Sequence, residues 1–299
     1  MPPQSLESYH LDTSPAANAT GVPVLCLPGL FAGSWTFERL LPLIAARGYP
    51  AYAMSYRGHP PLAPMRSIGS QSLMDFARDA SAAAKTLDRP IVIGHSLGGL
   101  VALLLAGRNL VRAAVLVSPA PPRGISVLSP PILVRMASYL PALLLSRAFL
   151  PSNAHLDALV LNRVPEAERA AIRERFVPDS GRAARQISLG VYKVPRRAMR
   201  APTLVVGSED DRFIPLGVAR RVARMYGAAF HVAKAHGHFL FSEPGWEAEA
   251  AHILDWVDAL PRVIREAASS GHPFPDRENA VADPRVSTPA NHRPAPEST

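Results

Sequence analysis

Short apolar runs alternate with helical patterns along most of the chain. The runs are rich in Val, Ile, Leu and Ala and are bounded by Gly, Pro or polar residues, a pattern typical of strands buried in a parallel sheet. They cover residues 22–27, 51–55, 90–93, 113–118, 203–207 and 228–233, with a weaker first strand predicted over 5–13. Helical patterns lie between them, at 36–47, 71–87, 100–106, 215–226 and 245–265. The alternation predicts an α/β fold, a mostly parallel sheet with helices on both faces.

The alternation stops between residues 119 and 201. Only helical patterns occur there, over 131–149, 153–163, 166–176 and 180–192, and prolines separate them. They carry too many apolar residues for free-standing helices, so the sequence predicts an inserted helical cap at 119–201 on a core formed by 1–118 and 202–265. Residues 266–299 are rich in Pro and small polar residues, and a disordered tail is expected there.

The length of the chain fits a single large domain with an insertion, or two small domains. A chain of 299 residues buries a sizeable core without disulfides, and its one cysteine, Cys26, lies in an apolar run as a predicted buried thiol. The first residues lack the pattern of a secretory signal, which favours a cytoplasmic location. The apolar stretch 127–150 carries arginines and prolines, so no membrane-spanning helix is predicted from it.

The net charge of +8 is concentrated in the predicted cap. Residues 121–200 hold thirteen Lys and Arg against five Asp and Glu. Such a segment favours an anionic substrate, an acidic lipid surface or an acidic partner, unless it is simply a solvated face. Nucleic acid is not an expected partner, because no aromatic residues are interleaved with these arginines in a known binding motif. The pattern leaves the oligomeric state open.

A candidate nucleophile lies where the strand at 90–93 meets the next helix. Residues 94–99 read Gly-His-Ser-Leu-Gly-Gly. Gly-x-Ser-x-Gly at a strand-to-helix turn is the pattern of a nucleophile elbow, in which small residues let strand and helix approach and expose a strained serine. The motif alone also occurs in ordinary flexible loops. Its setting between a buried strand and an apolar helix favours Ser96 as a nucleophile.

A serine hydroxyl needs a base, and the base needs a carboxylate to orient it. Both occur after the predicted cap, in the chain order serine, acid, histidine. Asp211 follows the strand at 203–207 and is preferred as the acid, with Asp210 as the alternative and Glu209 expected to be solvated. His238 follows the strand at 228–233 and is preferred as the base over His236.

A developing oxyanion requires preorganised N–H donors. The backbone N–H groups of Leu97, directly after the nucleophile, and of Leu30, after Gly29, are the candidates. Phe31, Trp35 and His95 are candidate substrate-binding residues, although packing is the commoner role of such aromatic side chains. No cofactor and no metal site is predicted.

Together these motifs resemble the serine-nucleophile members of the α/β-hydrolase superfamily. The resemblance covers about residues 20–262, without most of the cap. It rests on residues 27–29 (Leu-Pro-Gly), 56–59 (Tyr-Arg-Gly-His), 94–99, 207–215, 237–238 (Gly-His) and 243–246 (Glu-Pro-Gly-Trp). Pro28 and Ser55 depart from the family's usual His and Asp, without removing a catalytic group. Serine at the elbow argues against the dehalogenases and epoxide hydrolases, which carry aspartate there.

The resemblance implies a cofactor-independent hydrolase of the carboxylesterase or lipase-like kind that forms an acyl-enzyme on Ser96. Thioester, lactone or carbon–carbon bond hydrolysis, perhydrolysis and acyl transfer use nearly the same residues and remain alternatives. A non-catalytic ligand-binding module on the same fold is the alternative from another class. The apolar, arginine-bearing cap favours a small ester that is lipid-like or anionic, and contact with a membrane surface stays open.

Overall fold

A seven-stranded sheet forms the centre of the molecule, in the spatial order β1-β3-β2-β4-β5-β8-β9. The computed structural model describes residues 9–17, 19, 21–127 and 130–265, all within one compact unit. The strands are β1 Tyr9–Ser14, β2 Val24–Leu27, β3 Ala51–Tyr56, β4 Ile91–His95, β5 Ala113–Val117, β8 Thr203–Ser208 and β9 Ala229–Ala233. β1 pairs antiparallel with β3, and every other pairing in this sheet is parallel. The predicted α/β fold class is confirmed.

Helices cover both faces of the sheet. They are α1 Leu40–Ala46, α2 Leu73–Thr86, α3 Leu97–Gly107, α9 Leu216–Tyr226, α10 Trp246–Asp258 and α11 Arg262–Arg265. Side chains of α2, α3 and α9 pack in one buried cluster with Val92 of β4, whereas α1 and α10 pack with Ile91 and Ile93 in the other. Successive residues of a strand point to opposite faces, so β4 contributes to both cores and must be apolar throughout.

Two predicted helices are interrupted. The helix expected over 36–47 starts as a 3-10 turn at Ser34–Phe37, and α1 begins only at Leu40. The helix expected over 245–265 ends at Asp258 and resumes as α11, because Pro261 lies between the two and cannot donate a backbone hydrogen bond. Cys26 is fully buried, and burial raises the pKa of its thiol.

The described residues of the cap segment, 119–201, form five short α-helices and a two-stranded sheet. The helices are α4 Pro130–Met136, α5 Leu140–Leu144, α6 Asn153–Leu159, α7 Glu166–Arg173 and α8 Gly181–Ser188. β6 Ala148–Phe149 pairs antiparallel with β7 Asp179–Ser180, so the expectation of helices alone was incomplete. The predicted helix over 131–149 is broken by a 3-10 turn at Ala137–Tyr139 and by β6.

The division into core and cap stays a prediction, since the described parts of both lie in one compact unit. The predicted tail at 266–299 and the start of the first predicted strand, residues 5–8, lie outside the described residues. The carboxyl ends of the parallel strands β2, β4, β8 and β9 meet at one edge of the sheet, where α/β proteins place their sites. A third buried cluster joins this edge to the cap segment, with Phe31 and Phe239 against Leu156 and Phe176.

Candidate active site

Ser96 occupies a sharp turn between β4 and α3. Its φ of 54° and ψ of −116° lie outside the regions that most residues adopt, and only 8% of the residue is exposed. The turn requires small neighbours: a Cβ on Gly94 would lie 2.2 Å from the carbonyl oxygen of Gly98, and one on Gly98 would lie 2.1 Å from that of Leu27. The predicted elbow geometry is therefore present at Ser96.

His238 and Asp211 form a buried hydrogen-bonded pair at the same edge of the sheet. His238 Nδ1 lies 2.8 Å from Asp211 Oδ2. The other carboxylate oxygen, Oδ1, accepts the backbone N–H groups of Phe213 at 2.9 Å and Ile214 at 2.7 Å. These bonds hold the carboxylate in one orientation, and a carboxylate on Nδ1 favours the imidazole tautomer that leaves Nε2 as a proton acceptor.

The structure separates Asp211 from the alternative acids. Asp210 forms an ion pair with Arg163 of the cap segment, and its carbonyl oxygen accepts the side-chain amide of Asn162 at 3.0 Å. Glu209 Oε2 lies 3.4 Å from the backbone nitrogen of Ala235. Neither carboxylate forms a hydrogen bond with His238, so Asp211 is the acid that the fold brings to this histidine.

His236, the alternative base, lies beside Glu243 and away from Asp211. Its Nδ1 is 3.2 Å from Glu243 Oε2, and the same oxygen accepts the backbone N–H of Gly237 at 2.6 Å. The buried Glu243 thus fixes the loop that carries His238. The sequence pattern contains Glu243 only as the start of a helix motif, so this contact was not predicted.

An apolar cavity of about 420 Å³ lies beside Ser96. Ser96 and His238 both line it, so the serine and the histidine of the Asp–His pair reach one cavity from two separate loops. Most of its wall comes from aliphatic and aromatic side chains of the cap segment, among them Ile132, Leu143, Phe149, Leu156 and Ile187. A cavity of this shape and polarity suits an apolar ligand.

Among the described residues that line the cavity, Arg185 is the one Lys or Arg, and its guanidinium is already hydrogen-bonded. Its Nη1 donates to the carbonyl oxygens of Leu143 and Leu144, each at 2.6 Å, and its Nη2 donates to Ser146 Oγ at 3.2 Å. The guanidinium therefore caps the end of α5. A carboxylate in the cavity would have to compete with these bonds.

The loop of Leu30 lies directly against the serine. A Cβ on Gly29 would be 3.1 Å from Ser96 Cβ and 3.6 Å from Ser96 Oγ. Leu97 is the first residue of α3, where backbone N–H groups lack partners within the helix and point toward the positive end of its dipole. The positions of both residues fit the predicted oxyanion donors.

A buried ion pair fixes the Leu30 loop from the cap side. Asp179 Oδ2 accepts the backbone N–H of Phe31 at 2.8 Å and lies 3.0 Å from His59 Nε2. Burial opposes both charges, yet each partner favours the charged form of the other, so the pKa of His59 is raised and the pKa of Asp179 is lowered. Asp179 was not predicted, because nothing in the local sequence distinguishes it from the other acids of the cap segment.

The three predicted substrate-binding residues have different positions. Phe31 lines the cavity. His95 also lines it, but its Nε2 lies 2.7 Å from the carbonyl oxygen of His238, and burial lowers the pKa of His95 to about 3, so the neutral ring supports the His238 loop. Trp35 does not line this cavity and packs on Phe176 at 5.4 Å between ring centroids, so its role in substrate binding stays a prediction.

Among the described residues, no cluster of three or more His, Cys, Asp or Glu side chains is arranged to bind a metal ion. The same part of the chain contains no helix that is both long and apolar enough to cross a bilayer.

The sequence of residues 24–251 matches the profile of the alpha/beta hydrolase family. The chain belongs to the alpha/beta hydrolase family. The resemblance inferred from the elbow, the Asp and His loops and the glycine turn is confirmed by this match, and the elbow serine of this alpha/beta hydrolase lies within the matched range.

Curated relatives of this alpha/beta hydrolase include a monoacylglycerol lipase of Mycolicibacterium smegmatis. The two are 28% identical over 260 residues, which cover 82% of this chain and 90% of that protein. A 2-hydroxy-6-oxononadienedioate/2-hydroxy-6-oxononatrienedioate hydrolase of Paraburkholderia xenovorans is 28% identical over 231 residues, covering 70% of this chain and 76% of that protein.

Among solved structures, a soluble variant of monoglyceride lipase from Saccharomyces cerevisiae in complex with a substrate analog aligns with a TM-score of 0.70. The alignment covers 84% of this chain and 91% of that one at 17% identity, so the likeness concerns the fold.

Proposed function

We propose that this protein is a serine hydrolase that cleaves carboxylic esters of modest size with an apolar acyl group, through an acyl-enzyme on Ser96. The observation that carries the proposal is the hydrogen bond of 2.8 Å between His238 and Asp211 beside the apolar cavity that both Ser96 and His238 line. The Mycolicibacterium relative, named as a monoacylglycerol lipase, supports ester hydrolysis as the reaction.

Catalysis begins when Ser96 Oγ attacks the ester carbonyl carbon while His238 Nε2 takes the hydroxyl proton. Asp211 holds Nδ1–H of the imidazolium and stabilises its charge. The carbonyl oxygen becomes an oxyanion that receives hydrogen bonds from the N–H groups of Leu30 and Leu97.

Collapse of this tetrahedral intermediate breaks the ester bond, and the departing alkoxide takes the proton from His238 and leaves as the alcohol. Water then attacks the acyl-enzyme by the same route, and the free acid is released while Ser96 regains its proton.

The acyl group is placed in the cavity under the cap segment. The cavity wall is almost entirely aliphatic and aromatic, and the guanidinium of Arg185 is occupied by the carbonyls of α5. A neutral, apolar acyl chain therefore fits the cavity better than an anionic one. Of the two substrate classes that the sequence left open, lipid-like and anionic, the cavity favours the lipid-like class. A cytoplasmic location stays a prediction of the sequence.

Carbon–carbon bond hydrolysis is the second candidate, because the Paraburkholderia relative is named for such a reaction on a dioate. A dioate carries two carboxylates, and a buried carboxylate requires a cation or several donors. The cavity offers Arg185 as its one cation among the lining residues, and that side chain is already bonded. Ester cleavage is therefore the better-supported reaction.

The proposal is tested by hydrolysis of p-nitrophenyl esters with increasing acyl length. The wild-type enzyme is expected to prefer a medium-length acyl chain, and Ser96→Ala to lower kcat by roughly a millionfold. Ser118→Ala is the matched control, since Ser118 is a fully buried serine whose Oγ contacts Ser208 Oγ at 3.3 Å, outside the cavity wall. Retention of activity by Ser96→Ala would refute the nucleophile, and turnover of a dioate without ester hydrolysis would favour the second candidate.

A further inference from the structure

A second concave surface lies between the end of the cap segment and α9. It is an open groove of about 920 Å³, and it shares no lining residue with the cavity at Ser96. Six cationic side chains line it, and its lining includes no acidic residue. They are Arg123, Lys193, Arg196, Arg197, Arg221 and Arg224, and these six residues are named the basic groove.

The cations of the basic groove have no acidic partner among the described residues, unlike five arginines in other parts of the molecule. Arg47, Arg57, Arg163, Arg173 and Arg175 each form an ion pair with Asp or Glu. Within the described parts of the chain, no Asp or Glu forms an ion pair with any of the six groove residues. The positive charge of the groove is therefore not neutralised by the protein itself.

Two of the six side chains bind neutral backbone oxygens instead. Arg196 donates to the carbonyl oxygens of Arg224 and Met225 at the end of α9, and Arg221 Nη2 donates to that of Ser126 at 3.3 Å. Arg221 and Arg224 are three residues apart on α9, so they project from neighbouring positions of one helix face. Like charges so placed repel each other, and a bound anion would relieve that repulsion.

Exposed aliphatic residues connect the basic groove to the substrate cavity. Leu189, which lines that cavity, is 68% exposed, and Val191 is 47% exposed. Their stretch of chain lies against Arg123 of the groove: a Cβ on Gly190 would be 3.6 Å from Arg123 Cα, and the Arg123 N–H donates to the carbonyl oxygen of Tyr192 at 2.7 Å. Cations and exposed aliphatic side chains thus lie side by side.

The combination of cationic and exposed aliphatic side chains indicates which kind of anionic partner the groove suits. Basic side chains next to exposed aliphatic ones suit the headgroup and acyl layers of an anionic bilayer. A single-stranded nucleic acid would instead require exposed aromatic side chains for stacking, and the one aromatic residue of the groove lining, Tyr226, is buried.

We propose that the basic groove docks this protein on the surface of a bilayer that contains anionic phospholipids. Lys193, Arg197 and Arg224 contact lipid phosphates, and Leu189 and Val191 enter the boundary of the acyl layer. The part of the substrate cavity that the exposed Leu189 lines then faces the membrane. Docking requires no chemistry at Ser96, so the inference goes beyond the proposed hydrolase function and its test is independent of activity.

Co-sedimentation with vesicles tests the docking. The full chain is mixed at low salt with vesicles of phosphatidylcholine alone or of an equimolar mixture with phosphatidylglycerol. We expect binding to the mixed vesicles only, and its loss as added salt screens the charges. Because each basic residue near an anionic surface contributes about 1 kcal/mol, Lys193→Glu with Arg197→Glu is expected to weaken binding by at least roughly tenfold.

The matched control is Arg66→Glu with Lys85→Glu. Both residues are exposed and outside the groove lining, and this pair changes the net charge by the same amount. The control is expected to bind like the wild type, and thermal unfolding verifies that both double variants are folded.

Three results would overturn the inference: no binding to the mixed vesicles, equal binding to both vesicle types, or equal weakening by the control pair. The groove could also bind a soluble anion and no bilayer, and calorimetric titration with inositol hexakisphosphate tests this alternative. Binding of this soluble phosphate through Lys193 and Arg197 without any vesicle binding would assign the groove to a free anion and refute bilayer docking.

Discussion

The edge of the sheet and the cap segment at residues 119–201 differ in construction. α2 and α10, which pack on the sheet, have 14 and 13 residues, whereas the helices of the cap segment have five to eight. Of the seven exposed large hydrophobic side chains among the described residues, six belong to the cap segment. The sheet edge carries Ser96, Asp211 and His238, whereas the cap segment supplies most of the apolar wall of the cavity beside Ser96.

One buried contact between the two regions is polar and centres on Asp179. Asp179 of β7 accepts the backbone N–H of Phe31 in the Leu30 loop and pairs with His59, and these groups are almost fully buried. The acid comes from the cap segment, and both of its partners come from loops of the sheet. The comparison therefore predicts that sheet-edge substitutions change the rate, cap substitutions change the acyl preference, and substitution of Asp179 changes both.

The largest expected effect is on the rate and comes from the sheet edge. Asp211→Asn should lower kcat by about ten-thousand-fold, because the amide no longer stabilises the imidazolium of His238 and favours the wrong tautomer. Asp210→Asn is the adjacent control: it removes a partly exposed ion pair with Arg163 and should change kcat little. Steady-state kinetics of the two variants decide between the acids, and a larger loss in Asp210→Asn would contradict the assignment of Asp211.

The next effect concerns the contact between the two regions. Asp179→Asn should lower the free energy of unfolding by about 3 kcal/mol, since it leaves His59 buried without its charged partner. It should also lower kcat through the displaced Phe31 loop. Asp157→Asn, which breaks a partly exposed ion pair with Arg173 in the same segment, should cost less than about 1 kcal/mol. Urea unfolding measures both, and equal losses would show that Asp179 is not a special contact.

The same contact predicts a pH dependence. The pKa of His59 is raised above its usual 6.5, so its contribution to stability is complete below pH 6.5 and is lost as the pH rises through the raised pKa. The pKa of Asp179 is lowered below its usual 3.8, so its contribution is present above pH 3.8 and is lost as the pH falls through the lowered pKa.

The His59–Asp179 pair therefore stabilises the protein most between pH 3.8 and pH 6.5. The loss of stability as the pH rises through the raised pKa of His59 should be absent in His59→Gln. Urea unfolding of the wild type and of His59→Gln at several pH values measures the free energy of unfolding of each. An identical alkaline decline in the variant would assign the decline to other groups.

The smallest effect is on substrate preference and comes from the cap segment. Ala184 lines the cavity, and Ala184→Phe should fill part of it. Each methylene of the acyl chain that can no longer be buried in the cavity costs about 0.8 kcal/mol of binding free energy. The kcat/KM for long acyl chains should therefore fall by roughly tenfold or more, while acetate esters are hydrolysed as before. Ala167→Phe, on the exposed side of α7, is the control. A uniform loss over all chain lengths would mean that the substitution disturbs the sheet edge.

Much of the sheet edge was predictable from the sequence, and little of the cap segment was. Ser96, Asp211 and His238 follow buried strands, and parallel strands bring their carboxyl ends together, so order along the chain implies proximity. No such rule predicts which of the short, proline-separated helices of the cap segment lie close together. β6 and β7 are too short to show an alternation of apolar and polar residues. Asp179 pairs with a residue 120 positions earlier, and such a contact leaves no local pattern. The packing of Trp35 behind Phe176 likewise depends on cap residues far along the chain.

Labelling with a fluorophosphonate tests the central claim most directly, because this reagent phosphonylates an activated serine and spares ordinary ones. The native protein is treated, digested and analysed by mass spectrometry, with Asp211→Asn as a slow-reacting comparison. The account predicts one adduct on Ser96 and loss of ester hydrolysis in step with its formation. An enzyme that hydrolyses esters while Ser96 stays unlabelled, or an adduct on another residue, would contradict it.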